Sequence, residues 1–301
     1  MKRSILSILV FFALSLFVSC CERLQDVDTV REKNNDLILV HPNRISGGMI
    51  STEGKQRDCR IIAHRGYWDV RGSYENSISS IVSAAELGVD GIEFDLWKTK
   101  DDTIIVHHNS TYAGHSIAGS LYSDLVQTPL PNGEKIPTLR EYLRKIKEYP
   151  HLILFVELKT AQAAIPTVQM LEEEQIENPR VFISFSQAAC KLVMEKLPDA
   201  HVELLQSSGT LIPADSLFSA GYSGLAYYIS LYRSNHSVVE DAHRLGMTLS
   251  TWTLNSSKDY DEFFEYGFSY VITDCPDILI KQTLQDKKYW SKVFKEINNK
   301  L

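Results

Sequence analysis

The segment RIIAHRGYWDVRGSYENS, Arg60 to Ser77, changes character within one residue. Ile61, Ile62 and Ala63 form a short apolar run that ends on His64, Arg65 and Gly66, with Glu75 and Asn76 close behind. A run this short, closed by a glycine turn, reads as a buried strand rather than a helix. The pattern recurs downstream. Glu93 and Asp95 interrupt the apolar run GIEFDLW, Glu157 closes LILFVE with Lys159 two residues on, Trp252 follows LSTW's threonine, and Asp274 follows YVIT.

Between these points strand-like and helix-like segments alternate. Strands are expected at 60–63, 91–97, 151–157, 181–184, 201–205, 224–228, 247–251 and 270–273. Helical spacing covers 76–87, 139–147, 187–197, 237–245, 257–266 and 276–285. A further short strand, 103–107, follows the Asp101-Asp102 turn and reads as an insertion. Repeated βα units imply parallel strands, and eight of them imply an α/β fold: a single (β/α)8 TIM barrel with a small insertion after the second strand. The 301 residues suit one such barrel, which needs roughly 250. The competing doubly wound sheet lacks its usual signature, since the chain carries no GxGxxG or Walker A pattern.

The ends read differently. A basic start, Met1-Lys2-Arg3, precedes an apolar run from Ile5 to Val18 and then Ser19-Cys20-Cys21. The run is shorter than the ~20 residues of a spanning helix and has the form of a signal peptide. Small residues before cysteine resemble a bacterial lipobox, so residues 1–19 are expected to be a lipoprotein signal, with a lipid anchor at Cys20 (or Cys21). That implies an exported, membrane-anchored protein on the periplasmic or cell-surface side. Polar residues 20–58 read as a tether, 59–286 as the barrel domain and 287–301 as a C-terminal helix. The net charge of −7 argues against a nucleic-acid partner held by bulk electrostatics. Cys59, Cys190 and Cys275 show no zinc-like spacing and read as small apolar side chains.

Barrel enzymes carry their chemistry at the C-terminal ends of the strands, where His64, Arg65, Glu93, Asp95, Glu157, Lys159, Trp252 and Asp274 fall. Glu93 and Asp95, two apart, share one strand face. Three carboxylates converging from neighbouring strands repel one another unless a cation lies among them, and hard oxygen ligands suit Mg2+ or Ca2+ rather than zinc. The plainer reading of Glu93 and Asp95 is a solvated face or an ion pair with Lys98 or Arg65. For acid–base work near neutral pH the candidates are His64 and one of His107 and His108, since strand neighbours point to opposite faces. His115, His151, His201, His236 and His243 are assigned structural roles.

These residues, in this order, resemble the glycerophosphodiester phosphodiesterase family over roughly residues 60–286. His64-Arg65-Gly66 and Tyr74-Glu75-Asn76-Ser77 resemble its His-Arg-Gly and Pro-Glu-Asn-Thr motifs. GVDGIEFDLWKTKDDTIIVHHN, IPTLREYL, FVELK, ISFS, TWTLN and GFSYVITDCPD resemble its later segments. The resemblance implies Glu93, Asp95 and Glu157 as metal ligands for one divalent cation, and His64 and His108 as the acid–base pair. It implies Arg65 and Lys159 as phosphate-gripping groups, Glu75 near the metal or substrate, and Trp252 on the glycerol or leaving-group side. Asn109 stands where the family has Asp, Tyr74 where it has Pro, Ser77 where it has Thr and Asp102 where it has Gly. The Asn109 departure bears on how His108 is oriented.

The implied reaction is metal-dependent hydrolysis of a small glycerophosphodiester to glycerol 3-phosphate and an alcohol. The nucleophile is either the adjacent glycerol hydroxyl, passing through a cyclic phosphate as the resemblance favours, or water. Two other readings compete. One is a related barrel phosphodiesterase or phospholipase acting on inositol, sphingolipid or glycan-linked phosphates, distinguishable by activity on intact lipids. The other is a surface binding protein without turnover, against which the retention of both histidines beside three carboxylates counts.

Overall fold

A computed structural model of the chain describes residues 59–283. The expected signal peptide (1–19), tether (20–58), lipid-bearing cysteines and C-terminal helix (287–301) lie outside the described residues.

Eight parallel strands close into a barrel: β1 (Arg60–Ala63), β2 (Gly91–Lys98), β6 (Ile153–Leu158), β7 (Arg180–Ser184), β8 (His201–Gln206), β9 (Gly224–Tyr228), β10 (Thr248–Trp252) and β11 (Tyr270–Thr273). They pair in chain order, and β1 joins both β11 and β2, which closes the ring. Three short strands complete the set: β3 (Ile104–Val106), antiparallel to β2, and the hairpin β4 (Thr111–Tyr112) with β5 (His115–Ser116). These, with a 3-10 turn at Ile117–Gly119 and the short helix α2 (Tyr122–Leu125), form the expected insertion over a satellite core of Ile105, Ile117, Leu125 and Ile136.

Helices pack outside the ring. α1 (Ile78–Leu87) starts where the Ser77 hydroxyl accepts from Ser80 N–H and stops at Gly88, whose left-handed φ of 81° suits a residue without Cβ. α3 (Leu139–Ile146) opens with a capping box between Thr138 and Glu141. α5 (Gln187–Lys196), α8 (His236–Arg244) and α9 (Ser257–Glu265) fall where the periodicity places them. Three helices escape the sequence reading: α4 (Ala161–Glu173), α6 (Ala214–Ser219) and α7 (Ile229–Ser234). α4 carries Pro166 inside it, a residue that reads as a helix breaker, yet Ala163, Ala164, Thr167, Val168 and Leu171 are buried and hold the helix against the barrel. α6 and α7, six residues each, are too short to show a period.

Below its top layer the barrel interior holds an apolar cluster. Ile62, Ile153, Phe155, Val181, Ile183, Leu205, Ala226, Tyr270 and Ile272 form it. Strand alternation sends the next inward residues, at the C-terminal ends, to one shared mouth. Among the described residues no helix is long and apolar enough to cross a membrane.

Candidate active site

Register explains how the acidic residues meet. β2 and β6 run side by side with Asp95 opposite Glu157 and Glu93 opposite Phe155. Glu93, Asp95 and Glu157 therefore face the interior together, all buried, with one ligand oxygen from each within 4.8 Å of the others. Such a group is costly to bury without compensation, and two cations supply part of it. The Lys159 ammonium lies 2.7 Å from Asp95 and 2.6 Å from Glu157. The Arg65 Nε lies 3.8 Å from Asp95.

Compensation is incomplete. Glu93 Oε1 is buried and has no hydrogen-bond partner. Burial, reinforced by the charges of Asp95 and Glu157, pushes the Glu93 carboxyl well above its usual range. Burial and Asp95 push Glu157 up to about 7. Burial opposes ionisation of Asp95 too, but Lys159, His108 and His64 outweigh it and hold that carboxyl below its usual range. An all-oxygen donor set with an unpartnered oxygen and two carboxyls that resist ionisation fits a hard divalent cation. Of the alternative ion pairs, that with Lys98 does not form, since Lys98 bonds to Asp102, whereas Arg65 does lie beside Asp95.

The first segment is folded tightly onto this cluster. Arg65 takes a left-handed φ of 57°, which turns its backbone N–H onto Glu93 Oε2 at 2.9 Å. Gly66 follows at φ 75°, and a Cβ there would lie 2.3 Å from Ser80 Oγ, so this turn admits only glycine. Glu75 does not reach the carboxylates. It pairs with the Arg65 guanidinium and so acts on the site through that side chain. Asn76, also left-handed at φ 59°, donates its amide N–H to Asp95 Oδ2 at 2.8 Å and accepts from Asp95 N–H at 3.3 Å. The sequence reading gave Asn76 no role; its place in the Glu75-Asn76 motif was the available signal.

The two histidines approach from different strands. His64, after β1, has Nε2 3.9 Å from Glu93 Oε2 and Nδ1 2.6 Å from Asp274 Oδ1. His108, beyond β3, has Nδ1 3.0 Å from Asn109 Oδ1. An amide oxygen only accepts, so Nδ1 is the donor in this contact. Burial lowers the His108 pKa, Lys159 and Arg65 add to this, and Asp95 opposes it. His107 points the other way: its Nε2 meets Thr111 O at 3.2 Å and its ring packs on Tyr112.

Of these groups, His64, Arg65, Glu93, His108, Glu157 and Lys159 line the polar side of one cavity of about 190 Å³. Trp252 forms the apolar side. Its indole N–H is spent on Ala226 O at 2.8 Å, and its ring meets Phe185 and Tyr228 edge-on at 5.6 and 5.2 Å. A larger surface groove of about 360 Å³ beside α3 is lined mostly by charges of both signs and shares no residue with this cavity.

Carboxylates for a cation, two imidazoles and two basic side chains around one small cavity define a barrel hydrolase for an anionic ester. Comparison with known proteins narrows the class. Residues 64–278 match the model of the glycerophosphoryl diester phosphodiesterase family. A glycerophosphodiester phosphodiesterase of Caldanaerobacter subterraneus is 27% identical over 73% of this chain and 96% of its own length. The solved structure of a glycerophosphodiester phosphodiesterase from Parabacteroides distasonis is 33% identical, with a TM-score of 0.73 over 78% of this chain and 100% of that one. A phosphodiesterase from Oleispira antarctica, solved with the product sn-glycerol-3-phosphate, shares the fold at 21% identity and a TM-score of 0.68, over 74% of this chain and 96% of that one. The chain belongs to the glycerophosphoryl diester phosphodiesterase family and is a phosphoric diester hydrolase.

Proposed function

We propose that the protein hydrolyses small glycerophosphodiesters to glycerol 3-phosphate and an alcohol, using one Mg2+ or Ca2+ held by Glu93, Asp95 and Glu157 and proton transfer by His64 and His108. The observation that carries this reading is the convergence of three buried carboxylates beside a cavity that two of them line together with two imidazoles. A cation bound there would offset the charge of the diester and the charge that develops on it. Arg65, its planar fork steadied by Glu75, suits a phosphate oxygen. Lys159, which holds Asp95 and Glu157, is close enough to offer a second positive charge.

The histidines divide the proton work by their partners. His108 beside a neutral amide, its pKa lowered by burial, is ready to accept a proton at pH 7. His64, bonded to the Asp274 carboxylate, is suited to give one to the leaving alkoxide. The attacking group in this reading is the adjacent glycerol hydroxyl, with water opening the cyclic phosphate afterwards. Trp252 covers the apolar face of the glycerol or leaving group. The test is a substrate panel for the full chain in detergent, with Mg2+ or Ca2+. Glycerophosphocholine and glycerophosphoethanolamine should release glycerol 3-phosphate, and intact phosphatidylcholine and phosphatidylinositol should not. The reverse pattern would move the enzyme to a phospholipase role.

The basic start, apolar run and paired cysteines support export and lipid attachment at Cys20 or Cys21. Mass spectrometry of the mature N-terminus decides it: a diacylglyceryl cysteine is expected, and an unmodified N-terminus refutes the anchor.

A further inference from the structure

Asp274 has no part in the reading above except as the neighbour of His64, yet three strand ends are arranged around it. β1 and β11 pair in register up to Ala63 and Thr273, and His64 N–H donates to Thr273 O at 2.8 Å, so residues 64 and 274 leave the barrel side by side. The Asp274 carboxylate then meets His64 Nδ1 at 2.6 Å. Its other oxygen accepts from the Asn255 amide at 2.9 Å. Asn255 comes from the loop after β10 and grips the same turn twice more: its Oδ1 accepts from Asp274 N–H at 2.9 Å and from Thr273 Oγ1 at 3.2 Å. That loop is itself pinned, since Leu254 N–H donates to Ile272 O at 2.9 Å.

We propose that Asp274, clamped by Asn255, is a positioning residue that fixes the ring and tautomer of His64 so that Nε2 faces the carboxylate cluster. The geometry leaves little freedom. An Asp oxygen accepts only, so Nδ1 must carry the proton and Nε2 is left for exchange with substrate. Nε2 is the nitrogen on the cluster side, 3.9 Å from Glu93. His108 has no comparable clamp: its partner is the adjacent Asn109, a single exposed contact within the same loop. The inference rests on the reading of His64 as a proton-transfer group.

A double-mutant cycle on the full chain tests it, with p-nitrophenyl glycerophosphate as the substrate so that weak activity remains measurable. Asp274→Asn in the wild-type background should lower kcat ~10²-fold, within the range a placed proton-transfer group contributes, with KM within about threefold. In a His64→Ala background the same change should cost less than about twofold, because residues acting as a unit do not add. Equal losses in both backgrounds, or no loss in either, would overturn the proposal. Should Asp274→Asn fail to fold, Asn255→Ala enters the same cycle with the same expected non-additivity. A second readout needs no turnover: the 15N shifts of the His64 ring should show a proton fixed on Nδ1 in the wild type, and lose that signature in Asp274→Asn. An inactive wild type with the signature intact would reject the proposed reaction and leave the positioning role standing.

Discussion

The barrel buries carboxylate–imidazole contacts at both ends, and they differ in kind. At the N-terminal end Glu203 is wholly buried, with one oxygen bonded to His201 Nε2 at 3.0 Å and to Thr248 Oγ1 at 2.6 Å. Gly224 makes room for it, since a Cβ there would lie 2.8 Å from Glu203 Oε1. At the C-terminal end three carboxylates converge, two resist ionisation, and a cavity opens onto them. A buried acid beside a histidine is therefore not itself a site. What separates the ends is uncompensated like charge next to space for a ligand.

Substitutions break or sharpen that contrast. The largest effect is expected from Glu93→Gln, which removes a proposed ligand and should cut phosphodiesterase activity by ~10³-fold or more, as several kcal/mol of charge stabilisation implies. Glu203→Gln should leave kcat within about twofold and instead cost ~1–3 kcal/mol of stability by disturbing a buried hydrogen-bonded group; kinetics and denaturant unfolding on both proteins check this. Next in size, His108→Ala should lower kcat by ~10²–10⁴-fold, whereas His201→Ala should not. If His201→Ala proved equally damaging, the division between the ends would fail.

A smaller effect concerns pH. Glu157 in the cation-free protein has its pKa raised to about 7 from a usual value near 4.5, and Glu93 is raised as well. A raised folded-state pKa means the folded chain holds protons that the unfolded chain has lost. Stability of the chelator-treated protein should thus fall as pH rises from about 4.5 through 7. Thermal melts should show this decline, and Mg2+ or Ca2+, or Glu157→Gln, should flatten it. Cation binding near pH 6 should also release protons, which calorimetry in two buffers of different ionisation enthalpy would detect. A melt curve insensitive to chelator across this window would argue against cation binding at the cluster. The smallest effect is expected from Trp252→Leu, which should raise KM several-fold with little change in kcat, as loss of uniform binding does.

Much of this was legible in the chain. Glu93, Asp95 and Glu157 stand out because each interrupts an apolar strand, and a period of two puts them on one face. The choice of His108 over His107 follows from the same alternation together with the family register, and the structure sends His107 to Thr111. Helix α4 was hidden because Pro166 suppresses the helical signal that five buried side chains later outweigh. Glu75 was expected near the metal or substrate, and the structure pairs it with Arg65, a contact that the sequence did not announce. Asn255 gave no warning and Asn76 only its place in a motif, because a polar loop residue gains its role from what the fold brings opposite it. Asn255 meets Asp274 across 19 residues and Asn76 meets Asp95 across 19.

The central claim is that the cluster holds the cation on which phosphodiester hydrolysis depends. The most direct measurement is glycerol 3-phosphate release from glycerophosphocholine by chelator-stripped protein as Mg2+ or Ca2+ is added back, for the wild type and Glu157→Gln. The account predicts negligible release without cation, saturable recovery in the wild type, and little or no recovery in the variant. Full activity in the stripped wild type, or equal recovery in both proteins, would contradict it.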